Sequence, residues 1–114
     1  VMAADRGNAR VAELANALQP AVLRMVREAA DAAHAAGIWI GMCGELAGNA
    51  LAAPVLVGLG LDELSMSAPS IPAVKAAVRR FPLADAQRMA TAALALDSAE
   101  AVAHFLQQTA AGER

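Results

Sequence analysis

The stretch Ile38-Trp39-Ile40-Gly41-Met42-Cys43-Gly44-Glu45 decides the reading of the fold. Ile38, Trp39 and Ile40 favour extended backbone, and the run is short and bounded by Gly37 and Gly41. They predict a strand over 38–40, with Met42 to Glu45 at its C-terminal end. Working outward, Gly44 and Gly48 predict a loop, and Pro54 suits the first turn of a short helix that stops near Gly58-Leu59-Gly60. A second strand-like run covers 61–67, with Asp62 and Glu63 at its start and 64–67 as the strand itself. Upstream, Asn8 is a candidate cap for a helix over 8–18. Pro20 starts a longer helix that Gly37 would end in a left-handed conformation. Downstream, helices are predicted over 72–80, 83–96 and 98–109, with Asp97 and Glu100 spaced as a capping box.

Helix, strand, helix, strand, helix is the order of βαβ units with a parallel sheet. Parallel sheets require both faces covered, so two strands are too few to stand alone. The 114 residues suffice for one domain but not two, and no repeat, linker or charge block divides them. The sequence therefore reads as the tail of something larger, and its first residue, Val1, is not Met.

Composition removes several functions. Alanine accounts for 32 residues, which favours helices with small, closely packed faces. A net charge of -2 leaves no electrostatic footprint for nucleic acid. The longest uncharged stretch, 46–61, has 16 residues and is broken by Gly48, Asn49, Pro54, Gly58 and Gly60. A membrane-spanning helix needs about 20 apolar residues, so no membrane insertion is expected. No secretory signal opens the chain. The single Cys rules out an internal disulfide framework and suits a reducing compartment.

Three segments carry a resemblance: Asp5-Arg6-Gly7-Asn8, then Gly41-Met42-Cys43-Gly44-Glu45-Leu46-Ala47-Gly48, then Gly60-Leu61-Asp62-Glu63-Leu64-Ser65-Met66-Ser67. In order and spacing the chain resembles the C-terminal region of enzyme I of the bacterial phosphoenolpyruvate-dependent sugar phosphotransferase system, from Val1 to about Gln108. The Cys-containing motif marks phosphoenolpyruvate (PEP)-utilising enzymes broadly, including pyruvate phosphate dikinase and PEP synthase; the Asp-Arg-Gly-Asn segment points to enzyme I.

The resemblance implies an α/β fold, the C-terminal portion of a (β/α)8 TIM barrel. The chain, 1–114, would carry the end of strand six, strands seven and eight and the helices that follow. Such a barrel takes about 250 residues. It also implies PEP and Mg²⁺ as ligands, with the metal ligands mostly outside this chain and none assigned within it. Phosphoryl transfer would run to a histidine on an N-terminal domain and on to a histidine-containing phosphocarrier protein. A homodimer and a cytoplasmic location follow from the same resemblance.

Cys43 takes the family's proton-donor position. Loss of the phosphoryl group from PEP leaves pyruvate enolate, whose carbon needs a proton. An ordinary thiol, with a pKa of about 8.5, is protonated near neutral pH yet releases its proton far more readily than an alcohol. On composition alone a lone Cys reads as a small buried hydrophobe; the flanking motif is what assigns it chemistry. Arg6 matches the arginine that contacts the substrate phosphate, where a guanidinium gives two parallel hydrogen bonds. Asp5 reads as an orienter of loop or arginine.

Lesser candidates read as structural. Glu45 supports the loop or tunes the thiol, and Ser65 and Ser67 share one strand face as small fillers of the barrel mouth. Met42 and Met66 pack against the barrel, with substrate contact open for Met42. Trp39 is a core or rim residue, and His34 and His104 are solvated or capping. Asn49 stands where enzyme I sequences often carry an acid, and Pro69 where an aliphatic residue is common. Three functions remain open at this level. The chain is part of a PEP–protein phosphotransferase, a non-catalytic dimerisation or interaction module, or part of a related PEP synthase or dikinase.

Overall fold

Gly37 ends the first helix as the sequence predicts. In the computed structural model, which describes residues 17–112, helix α1 spans Pro20–Ala35. Gly37 has φ +79°; its N–H reaches the His34 carbonyl at 3.0 Å, and the Ile38 N–H reaches the Ala33 carbonyl at 3.0 Å. These are the two bonds of a Schellman stop. Strand β1 is Gly41–Cys43, helix α2 Ala53–Gly58 and strand β2 Glu63–Ser65. A 3-10 turn, Ala68–Ser70, leads into α3, Ile71–Arg79; α4 is Leu83–Leu94 and α5 Ala99–Gly112. The helix predicted over 8–18 lies almost wholly outside the described residues.

The strands pair in parallel, as the alternation predicts, with Gly41 opposite Glu63, Met42 opposite Leu64 and Cys43 opposite Ser65. Their limits differ from the prediction. Residues 38–40 are not strand, because the ladder has no partner there: the Ile40 N–H donates to the Asp62 carboxylate at 3.0 Å, and its carbonyl accepts the Asp62 N–H at 2.8 Å. At the Ile40 N–H a side chain takes the place of a neighbouring strand. At the other end β2 stops at Ser65 rather than continuing to 67, since β1 turns away at Gly44, φ +107°. Trp39, with 68% of its surface exposed, does not belong to the core.

Helix α2 organises the interior. It carries no charged residue, and Ala53, Pro54, Val55, Leu56 and Gly58 are all buried, as a helix apolar on every side requires. Around it gather Leu18, Leu23 of α1, Leu59, Ala90 and Ala93 of α4, and Val102 and Leu106 of α5. The alanine-rich composition has its use here. Ala86, Ala90 and Ala93 form a buried stripe on α4, and a β-carbon on Gly58 would fall 2.1 Å from the Ala86 carbonyl oxygen. The two helices meet main chain to main chain.

The last junction is capped differently from the expected capping box. Ser98, not Asp97, accepts the Ala101 N–H on its hydroxyl at 3.1 Å, and the Ser98 carbonyl accepts the Val102 N–H. A serine three residues before the donating N–H gives the same geometry. His34 is neither merely solvated nor a cap: its Nε2 lies 2.8 Å from the Asp62 carboxylate. The His34 hydrogen bond, and next the one from the Ile40 N–H, hold the Asp62 carboxyl below the ordinary aspartate range.

Two measurements test this packing. Gly58→Ala would gain about 1 kcal/mol of helix propensity, but overpacking against the α4 backbone outweighs it. Overpacking costs about 1–3 kcal/mol, so the expected net loss is up to about 2 kcal/mol, read as a lower urea midpoint. A raised midpoint would show that the helices do not approach so closely. Because Asp62 is depressed in the folded state, its contribution is present above the ordinary aspartate pKa and lost as pH falls through the lowered folded value. Asp62→Asn should therefore flatten the loss of stability on acidification below about pH 4, measured as urea midpoints across that range.

Candidate functional site

Strand periodicity divides the sheet into two faces. Met42 and Leu64 pack half-buried against the core, while Gly41, Cys43, Glu63 and Ser65 are exposed on the other side. The face is narrow at its lower end, where a β-carbon on Gly41 would meet the Glu63 side chain at 3.1 Å. At its upper end the strands finish level, and Cys43 and Ser65 are the last residues of each.

Above that level two loops approach each other. After Gly44 the chain folds back in tight turns, the Gly48 N–H donating to the Glu45 carbonyl at 3.2 Å. Gly48 then lies against the loop that follows β2: a β-carbon there would meet Met66 Cβ at 3.2 Å and Ser70 Oγ at 3.4 Å. Between the loops is an open cleft of about 670 Å³ whose polar lining comprises Cys43, Glu45, Asn49, Ser65, Ser67 and Ser70. The Cys43 thiol is free and exposed.

The lining sets what the cleft can do. It offers one thiol, three hydroxyls, one amide and one carboxylate, and among the described lining residues no cation. A thiol is the group there suited to giving a proton to carbon near neutral pH. A phosphate-bearing ligand would need positive charge from outside these residues. Arg6, the sequence candidate for that task, lies outside the described residues. Among the described residues no three His, Cys, Asp or Glu side chains group to hold a metal ion, so these residues alone do not fit a Mg²⁺ site.

The other sequence candidates separate cleanly. Glu45 lines the cleft; Ser67 and Ser70 hydroxyls lie 3.4 Å apart within it. Met42 faces the core instead, and His104 is exposed on α5. By sequence Asn49 stands out only as a departure from the family pattern. Its Oδ1 accepts the Ala52 N–H at 3.0 Å, tying the loop to the start of α2. The signal was available: Asn followed by an uncharged apolar run that contains Pro54 is a helix-start pattern. Ser70 was missed as a lining residue because its place depends on how two loops meet.

Residues 1–83 match the family described as PEP-utilising enzyme, PEP-binding domain. The chain belongs to this family. Within it, the similarity is to enzyme I, the phosphoenolpyruvate–protein phosphotransferases. The protein of that name from Geobacillus stearothermophilus is 47% identical over 108 residues, covering 95% of this chain and 19% of the relative. Its namesake from Haloferax volcanii is 52% identical over 106 residues, covering 93% of this chain and 19% of the relative. Multiphosphoryl transfer protein 2 of Escherichia coli K12 is 46% identical over 108 residues, covering 95% of this chain and 13% of the relative. The chain thus spans about a fifth of the length of the phosphotransferases it matches. No described helix is long and apolar enough to cross a membrane.

An exposed thiol at a strand end reacts without unfolding. One equivalent of a maleimide should label Cys43 in the native protein at a rate within about tenfold of a small free thiol. Labelling only at the rate of unfolding would contradict the open cleft.

Proposed function

We propose that this chain is the C-terminal part of the PEP-binding (β/α)8 barrel of a PEP–protein phosphotransferase, and that Cys43 protonates the pyruvate enolate. The observation that carries the reading is the position of the Cys43 sulfur: exposed, at the C-terminal end of a parallel strand, and lining an open cleft. Catalytic groups of such barrels stand at that end of the strands.

In the proposed reaction the phosphorus–oxygen bond of PEP breaks as the phosphoryl group passes to a histidine of another domain. The electron pair stays on the bridging oxygen, giving the enolate. Its methylene carbon takes the proton of the Cys43 S–H; a carbon–hydrogen bond forms, and the sulfur keeps the pair as thiolate. Water in the open cleft returns the proton. Gly44, with no β-carbon and φ +107°, turns the chain away directly after the thiol and leaves room for a planar substrate. Arg6 is the proposed phosphate contact, through paired hydrogen bonds from its guanidinium.

The remaining parts of the activity belong to the longer protein. Mg²⁺ would be held there, with its ligands mostly outside this chain. The histidine-containing phosphocarrier as partner, the homodimer and the cytoplasmic location are proposed with the same reading, supported by similarity to proteins named PEP–protein phosphotransferase.

Cys43→Ala in the full-length protein provides the test. General acid catalysis is worth about 10²–10⁴-fold, so phosphoryl transfer from PEP should fall by about that factor while the melting temperature is unchanged. Solvent deuterium exchange into the pyruvate methyl should be lost with it. Turnover within twofold of the parent protein would end the assignment of Cys43 as the acid.

A further inference from the structure

Of the polar side chains that line the cleft, Ser65 is the one paired with Cys43 across the sheet, as its register partner in the parallel ladder. Neighbouring strands lie about 4.8 Å apart, and side chains of paired residues leave the sheet on the same face. Both residues are exposed on that face and both line the cleft. The Ser65 hydroxyl and the Cys43 sulfur are therefore cross-strand neighbours on one face of the sheet.

The other polar groups of the lining are differently engaged. The Ser67 and Ser70 hydroxyls face each other at 3.4 Å, and the Asn49 Oδ1 is occupied by the Ala52 N–H. The Ser65 hydroxyl makes no hydrogen bond to another described residue. Glu45, the one carboxylate in the lining, would raise the cost of a second negative charge beside it. Proton donation by Cys43 creates such a charge, and a hydroxyl that donates a hydrogen bond to it lowers that cost.

We propose that Ser65 is a positioning residue for Cys43, its O–H donating a hydrogen bond to the thiolate that remains once the S–H proton has gone to carbon. The serine proton stays on its oxygen throughout. The sulfur keeps the electron pair of the broken S–H bond until water reprotonates it. This role rests on the function proposed above, but the pairing of the two side chains does not, and the two are measured separately.

The full-length protein is alkylated with iodoacetamide across a pH series, and modification of Cys43 is followed by mass spectrometry of its peptide. In Ser65→Ala the midpoint of the alkylation profile should move to higher pH, and the rate at neutral pH should fall about three- to tenfold. Ser65→Thr, which keeps the hydroxyl, should restore both. A filler residue would change neither, and an unaltered Ser65→Ala profile with unchanged melting temperature overturns the proposal. Deuterium entry into the pyruvate methyl is then followed in the same variants and in Cys43→Ala. A parallel fall in Ser65→Ala and loss in Cys43→Ala support the positioning role. A shifted alkylation profile with deuterium entry intact in Cys43→Ala keeps the side-chain pairing but overturns the assignment of either residue to this reaction.

Discussion

The fold depends on one close approach, α2 against α4 at Gly58. Parallel strands cannot be joined by a hairpin; they need a crossover that leaves the sheet and returns. Here that crossover contains a helix of six residues, too short to be stable by itself. Its stability comes from burial, chiefly against α4 and also α3, and the missing side chain at Gly58 lets the α4 backbone come within reach. The buried crossover fixes where β1 ends and β2 begins. That, in turn, brings Cys43 and Ser65 to the same level.

The two ends of the sheet are built for opposite purposes. Below, Asp62 ties the approach to β1 through the Ile40 N–H and reaches α1 through His34, so the backbone there has its partners. Above, the strands stop together, the glycines at 44 and 48 carry no side chains, and the loops leave a hollow with a thiol at its floor. On the third side Met42 and Leu64 meet the core. The sheet separates packing from chemistry within three residues of each strand.

Local chemistry was legible in the sequence. Gly37 and Pro54 bound their helices as predicted because the conformations they permit or enforce do not depend on distant residues. The strand limits were not legible. Residues 38–40 have strand composition, yet a strand exists only where a partner runs beside it, and at Ile40 the partner is a carboxylate 22 residues away. The His34–Asp62 contact spans 28 residues and leaves no periodic trace. Cys43 was found through its motif rather than through physics, since a lone thiol has the same composition whether it is buried or exposed. Ser65 read as filler because its importance comes from register, which no single segment encodes.

The contact at Gly58 also sets how freely the interior can drift. A crowded side chain elsewhere in the core can swing to another rotamer, but at Gly58 the neighbour is a carbonyl, which has nowhere to swing. Any added bulk must lever α4 outward as a rigid rod, and the crossover would follow, taking the start of β2 with it. Bulk added beyond the far end of β2 would thus register at the cleft as a change in the level at which Cys43 and Ser65 stand.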